Sequence, residues 1–538
     1  MRLFLALIAS LPASLALAAE VTPGKPPPSV PQVYKGCAVP SMKPNHVWWF
    51  DAVNGDDAAG DGSQAAPWKT LGRMTWVNNG RSPPLLSTVP YYHAVSGGSW
   101  QWTPSGTSPI HPGDRIYLKS GDYGTIGLGF EGRQTENSDF VYLEAAPGQT
   151  PVIRQLSVEN TDKWYVHGIK IQSLRGTDWR PLVYVKGSAN GATSDIIIDG
   201  DTISSQDDIS GWTQADWRGN ARNGVQVVGA TSARCVSVTN NTIGQVGAGA
   251  LLAAPKLLFS GNVIDEFGED GVDYSGPGDM EISDNLVTNS NYLNDGAHLD
   301  CMQGGVAAGT TSNVLIDSNR CIRVSNPAHV RFPYVLQGID AFDGDWENLV
   351  VTNNAIVTSA YHGLSFSSVH GGLIANNTVL DDGLNVGNVN AAKVKQANLW
   401  LLVGARTHEG SMSNDVVVRN NLASGFIIDT TIPGLVSDHN MCVGVDPRLR
   451  CATAIGVAAP PGAAASRMFM AYNPATVTYD LRLAPTAWAI GAGTTKSAVL
   501  RDIIGNARGP SVDIGAYSYR KPDAPDPRPE ARTDASQQ

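Results

Sequence analysis

The chain is poor in several things at once. Only 6 of its 538 residues are Cys, too few for a small scaffold stapled by disulfides. No CxxC pair occurs anywhere, which argues against a cysteine metal site. Charged residues make up 16% and balance to a net −11, with 38 Lys and Arg against 49 Asp and Glu. A general nucleic-acid binder needs a basic footprint that this chain lacks. Beyond the N-terminal stretch no apolar run is long enough to span a bilayer. There is no Walker A loop, no Rossmann fingerprint, no HExxH and no GxSxG in a nucleophile-elbow context. What remains is a globular chain, 42% hydrophobic and, at 538 residues, about twice the upper size of one compact core.

The N-terminus is basic at Met1-Arg2, apolar from Leu3 to Leu17 and small at Ala16 and Ala18. This predicts a signal peptide over residues 1–19, cut after Ala18 or Ala19, and a secreted or periplasmic protein with no membrane insertion. An uncleaved anchor is the competing reading. Residues 20–46, proline-rich and containing Cys37, predict an irregular leader. Residues 521–538, rich in Pro, Asp and Arg, predict a disordered tail. Export permits disulfides. Cys442 and Cys451 flank an eight-residue loop and form the first expected pair, with Cys301 and Cys321 the second.

The informative signal is a period. A Gly followed by alternating residues recurs at Gly224, Gly249, Gly271, Gly296, Gly338 and Gly363, spaced 25, 22, 25, 42 and 25 residues apart. A second segment follows each, as in Val238-Thr239-Asn240-Asn241-Thr242-Ile243, Ile282-Ser283-Asp284-Asn285 and Val351-Thr352-Asn353-Asn354. Units this short bury an apolar side only by stacking on one another. Parallel coils about 4.8 Å apart would satisfy the backbone between coils. The recurring Asn would stack into an internal ladder, each amide pairing with the coil above and below.

The pattern resembles the right-handed parallel β-helix of the pectate-lyase-like superfamily. The segments from Asp51 to Asp57 and Ala66 to Leu71 resemble its entry, Gly113 to Tyr123 its first coil, and Ala489 to Gly493 with Asp513 to Tyr517 its closing segment. The resemblance implies an all-β, single-stranded parallel solenoid with loop insertions over residues 47–520. That fold hosts lyases, hydrolases, epimerases and tailspikes, so function must come from the site.

Alternation places the residue after each Gly inward and the next one outward. The outward positions then read Gln226, Leu251, Asp273, His298, Asp340 and Ser365. Asp273, His298 and Asp340 are expected as one exposed stack with Asp300 beside it, the 42-residue gap being one coil plus a loop extruded near 303–335. Carboxylates that close need a proton, a cation or a substrate. A solvated acidic stripe is the competing reading. The run His298-Leu299-Asp300-Cys301-Met302-Gln303 also resembles a His-x-Asp-x-x-Gln strand of bacterial exopolysaccharide-type β-helix proteins, which implies an active-site role for His298 and Asp300.

Around this column, His362, His370, Arg323, Arg331, Gln303 and Trp217 are candidates for holding substrate, the Arg by gripping a uronate carboxylate. Ordinary surface charge and core packing compete for each. Glu269 and Asp270, in a carboxylate-rich turn beside Asp273, offer oxygen ligands for Ca²⁺, with a solvated turn as the alternative. The expected partner is a polysaccharide, on a monomeric protein. The leading expectation is a polysaccharide lyase acting by β-elimination on a uronate-containing glycan. A glycoside hydrolase using paired carboxylates, a uronan C5-epimerase and a non-catalytic glycan-binding β-helix are the alternatives.

Overall fold

The computed structural model describes residues 37–71, 85–86, 92–94, 102–104, 110–129, 137–173, 180–187, 192–229, 232–293, 296, 298–305, 309–359, 362–383, 399–406, 410–443, 456–457, 465–497 and 499–520. The expected signal peptide, the disordered tail and Cys451 lie outside these residues. The chain divides into two units, one of residues 33–277 with 291–295, the other of 278–290 with 296–538.

Each unit is a parallel β solenoid. In the first, a coil runs through the strands Val225–Val228, Ala233–Thr239 and Thr242–Val246. Each pairs in parallel with its successor one coil on, Val225 with Ala250, Val236 with Leu257 and Ile243 with Ile264. In the second, a coil runs through Gln337–Ala341, Asp345–Thr352 and Ala355–Thr358. Here Ile339 pairs with Leu364, Val350 with Leu373 and Ile356 with Val379. Each coil thus has three strands, not the two segments expected. The run around each Asn pair is two strands broken by a single left-handed residue. Asn240, Asp284, Ser318, Asn353, Asn376 and Asn420 take that conformation, with φ between 55° (Asn353) and 60° (Ser318). Asn and Asp tolerate it best among residues with a side chain.

The next residue is the expected ladder Asn. Asn241 Nδ2 donates to Asn262 Oδ1 at 3.0 Å in the first unit. In the second, Asn285, Asn319, Asn354, Asn377, Asn421 and Asn440 follow one another at 2.9 to 3.0 Å. Each of these amide oxygens also takes a backbone N–H from the coil before, as Asn354 Oδ1 does from Asn319 at 3.0 Å. The second Nδ2 proton goes to a strand carbonyl, as from Asn354 to Ile316 at 2.9 Å. A fully buried amide is therefore satisfied on each of these coils.

The closing segment covers two of the three sheets of the second unit. Met468, Phe469, Leu481, Leu483, Ala489, Ile503, Ile514 and Ala516 pack with Ile322, Val357, Leu380 and Leu422. Val499 packs with Leu315, Val350, Leu373 and Val417. The end of the irregular leader is tied to the first unit by the disulfide Cys37–Cys235, a pairing across 198 residues that the sequence did not suggest. The second expected pair, Cys301–Cys321, is bonded. Cys442 is bonded too.

Asp201 stands where the ladder would have Asn. Its Oδ1 accepts Ile169 N–H at 2.7 Å and its own N–H donates to Asn241 Oδ1 at 2.8 Å. Burial pushes the carboxyl up to about 8, with Asp199 adding to the rise and Ile169 and His167 opposing it. The native state therefore keeps a proton that the unfolded chain loses near pH 4. Between those values the native state binds more protons, so stability falls as pH rises. Asp201→Asn supplies the missing amide. Its melting temperature at pH 7 is expected to exceed that of the unmodified protein, by roughly 1–3 kcal/mol of stability, and to lose the decline between pH 5 and pH 8; unchanged melting at both pH values would contradict this.

Candidate active site

The site lies in the second unit, on the sheet made by Asp300–Gly304, Gln337–Ala341, His362–Ser367, Trp400–Gly404 and Phe426–Ile428. Its register corrects the expected stack. Gln303 pairs with Asp340, Asp340 with Ser365, Ser365 with Leu402 and Leu402 with Ile427. His298 does not share this column. The run Asp295-Gly296-Ala297-His298-Leu299 imitates the repeating motif, but the strand begins at Asp300, and Gln303 takes the outward place. The stack is also not exposed, since Asp300 and Asp340 are 0% and 1% accessible. Asp273 lies half-buried on Val272–Tyr274 of the first unit, after Leu251 in its column.

A second column runs along the strand starts, where Asp300 pairs with Gln337 and His362 with Trp400. His298 joins it from the preceding turn. Its Nδ1 donates to Asp300 Oδ2, while the imidazole is 58% exposed and the carboxylate is sealed. That bond fixes the tautomer and makes Nε2 the basic nitrogen. His362 belongs to the same group. Its Nδ1 is hydrogen-bonded to Ser365 Oγ at 2.9 Å, and its ring meets Phe342 at 4.4 Å and Trp400 at 6.1 Å between centroids. Burial depresses its pKa to about 4, with the charge of His298 adding and Asp300 opposing. The pair thus offers one exposed imidazole held by a carboxylate and one kept neutral.

Trp217, Arg323 and His370 are engaged by other partners. Trp217, on the short helix Gln214–Asn220, is fully buried and donates Nε1–H to Val246 O at 3.0 Å, so it packs an insertion and cannot stack on a sugar. Arg323 is spent on a mostly buried ion pair with Asp382, beside the closing segment's Tyr479. His370 lies on another sheet, where its Nε2 donates to Asp345 at 3.0 Å and its Nδ1 accepts from Asn414 at 2.7 Å. Arg331 is half-buried in the loop between Ile322 and Gln337. That loop returns to the site where Gln337 N–H donates to Leu299 O at 2.9 Å. Glu269 is exposed and Asp270 half-buried in the first unit. Sequence reasoning missed Gln337, Phe342 and Trp400. Register was the missing signal: Gln337 and Phe342 flank the Gly338 motif but enter the site only through its pairing, and Trp400 lies beyond an insertion.

A right handed beta helix region family model matches residues 156–425, half of the chain, and the protein belongs to that family. No curated protein matches it in sequence. Among solved structures it is similar to the pectate lyase Pel9A, at 15% identity and a TM-score of 0.42, over 89% of this chain and 98% of that one. It is similar to the GH136 lacto-N-biosidase of Eubacterium ramulus at 12% identity and a TM-score of 0.34, over 72% of this chain and 65% of that one. A mannuronic acid specific family 6 polysaccharide lyase from human gut microbiota matches at 13% identity and a TM-score of 0.33, over 66% and 87%. These are likenesses of fold. Among the described residues no helix is long and apolar enough to cross a membrane. The disulfides are compatible with an extracellular or periplasmic protein.

The low pKa of His362 has a sign that can be tested. The folded state resists protonating a ring that the unfolded chain protonates near 6.5, so stability is full above that pH and falls as pH drops toward about 4. The drop amounts to up to ~3 kcal/mol. In His362→Asn, denaturant midpoints between pH 7 and pH 4 should fall less steeply than in the unmodified protein; parallel slopes would place the titration elsewhere.

Proposed function

We propose that the protein is an exported polysaccharide lyase that cleaves a uronate-containing glycan by β-elimination. The observation that carries this reading is the exposed His298 imidazole anchored through Nδ1 to the buried Asp300. Elimination needs a base at C5, a neutralised carboxylate and a proton for the leaving oxygen. His298 Nε2 takes the C5 proton, the C4–O bond breaks as the C4–C5 double bond forms, and the imidazolium returns its proton to the departing oxygen. Asp300 stabilises that imidazolium without leaving its buried place. His362, neutral above about pH 4, accepts from Ser365 at Nδ1 and presents Nε2–H to the uronate carboxylate. Arg331, on its loop, is assigned to the same carboxylate, and the half-buried Gln303 to a ring hydroxyl.

Hydrolysis fits less well. It needs two carboxyl groups at the glycosidic bond, whereas of Asp273, Asp300 and Asp340 the last two are sealed from solvent and Asp300 is committed to His298.

Purified protein should generate an ultraviolet-absorbing unsaturated uronate from at least one polymer in a panel of uronans. His298→Ala is expected to lower kcat by about 10²- to 10⁴-fold and Asp300→Asn to act in the same direction, with folding intact by circular dichroism. New reducing ends without ultraviolet absorbance would overturn elimination, and full activity in His298→Ala would remove the base.

A further inference from the structure

The outward column of the site changes character partway along. Gln303, Asp340 and Ser365 are followed in register by Leu402 and Ile427. Leu402 is half-buried and Ile427 36% exposed. Beside them, Trp400 follows His362 in the neighbouring column and is half-buried. Phe342 packs edge-on against the His362 ring. So the face is hydrogen-bonding at the coils of His298 and His362 and apolar one and two coils further on.

Successive coils are about 4.8 Å apart, close to the length of one sugar in an extended glycan. A chain lying along the sheet therefore advances about one coil with each sugar, although Asp340 and Ser365 themselves are sealed. Over Gln303 and the two imidazoles its hydroxyls find partners. Over Leu402 and Ile427 they would lose water and gain nothing, a cost of about 1–3 kcal/mol for each polar group left unpaired. Aliphatic side chains also lack the flat face on which a bare sugar ring stacks. A hydroxyl carrying an O-acyl group removes the donor and offers a methyl to the same surface.

We infer that Leu402 and Ile427, with Trp400 at their edge, form a subsite for an O-acyl substituent, so that the substrate is an O-acetylated uronan. The inference rests on the proposed elimination for where the scissile bond lies, but the subsite can be read without turnover. Discrimination for a small apolar group in such a pocket is on the order of 10-fold or more.

The test compares O-acetylated alginate or pectin with the same polymer de-acetylated in cold dilute alkali. Binding is read by retardation of the full-length protein in gels containing each polymer, and kcat/KM from ultraviolet product. The acetylated form is expected to bind and react about 10-fold better. Leu402→Asn and Ile427→Asn are expected to narrow that ratio, weakening the acetylated polymer and giving the bare hydroxyls of the de-acetylated one a partner. Equal handling of the two polymers by the unmodified protein, or variants that weaken both alike, would overturn the subsite. Selective binding of the acetylated polymer without any unsaturated product would overturn the elimination and leave the subsite standing.

Discussion

The structure depends on one repeated contact, the side-chain amide of a buried Asn reaching from its own coil to the next. A solenoid must turn a corner on every coil, and a corner inside a protein leaves backbone groups without strand partners. Asn answers this because it carries donor and acceptor on one short, flat group. In the run from Asn285 to Asn440 the oxygen takes two N–H groups from the coil before and the nitrogen gives to that coil's strand and to the next Asn. The left-handed residue just ahead aims the side chain inward, so the turn conformation and the ladder specify each other.

That internal regularity frees the outer surface for other uses. On two sheets of the second unit the closing segment lies over apolar side chains such as Leu380 and Val350, and their strands accordingly read as continuous apolar runs. The third sheet carries His298, Asp300 and His362. There the outward positions hold polar groups that the core does not need, and buried members such as Asp300 are kept by a specific partner.

The architecture was legible in the sequence because it repeats. Six glycines and the Asn-containing turns fixed the period, and the ladder followed from the chemistry of an amide. The dyad was legible too, since His298 and Asp300 are two residues apart. What failed was register. Gly296 imitates the motif, whereas the strand begins four residues later, and a shift of this kind changes which side chain enters each column. Contacts across long separations gave no local signal: Arg323 finds Asp382, and Cys37 finds Cys235. Trp217 shows the limit of reading an aromatic in an insertion as exposed, because the indole of a short capped helix is the anchor that holds the insertion down.

The closing segment also bears on how the chain comes to be folded as it is made. Coils can be added one at a time behind the growing end, each templated by the last. Yet the flanks around Ile322, Leu380 and Val417 remain wet and adhesive until residues 468–516 have emerged, so synthesis of that stretch is the event that seals the second unit.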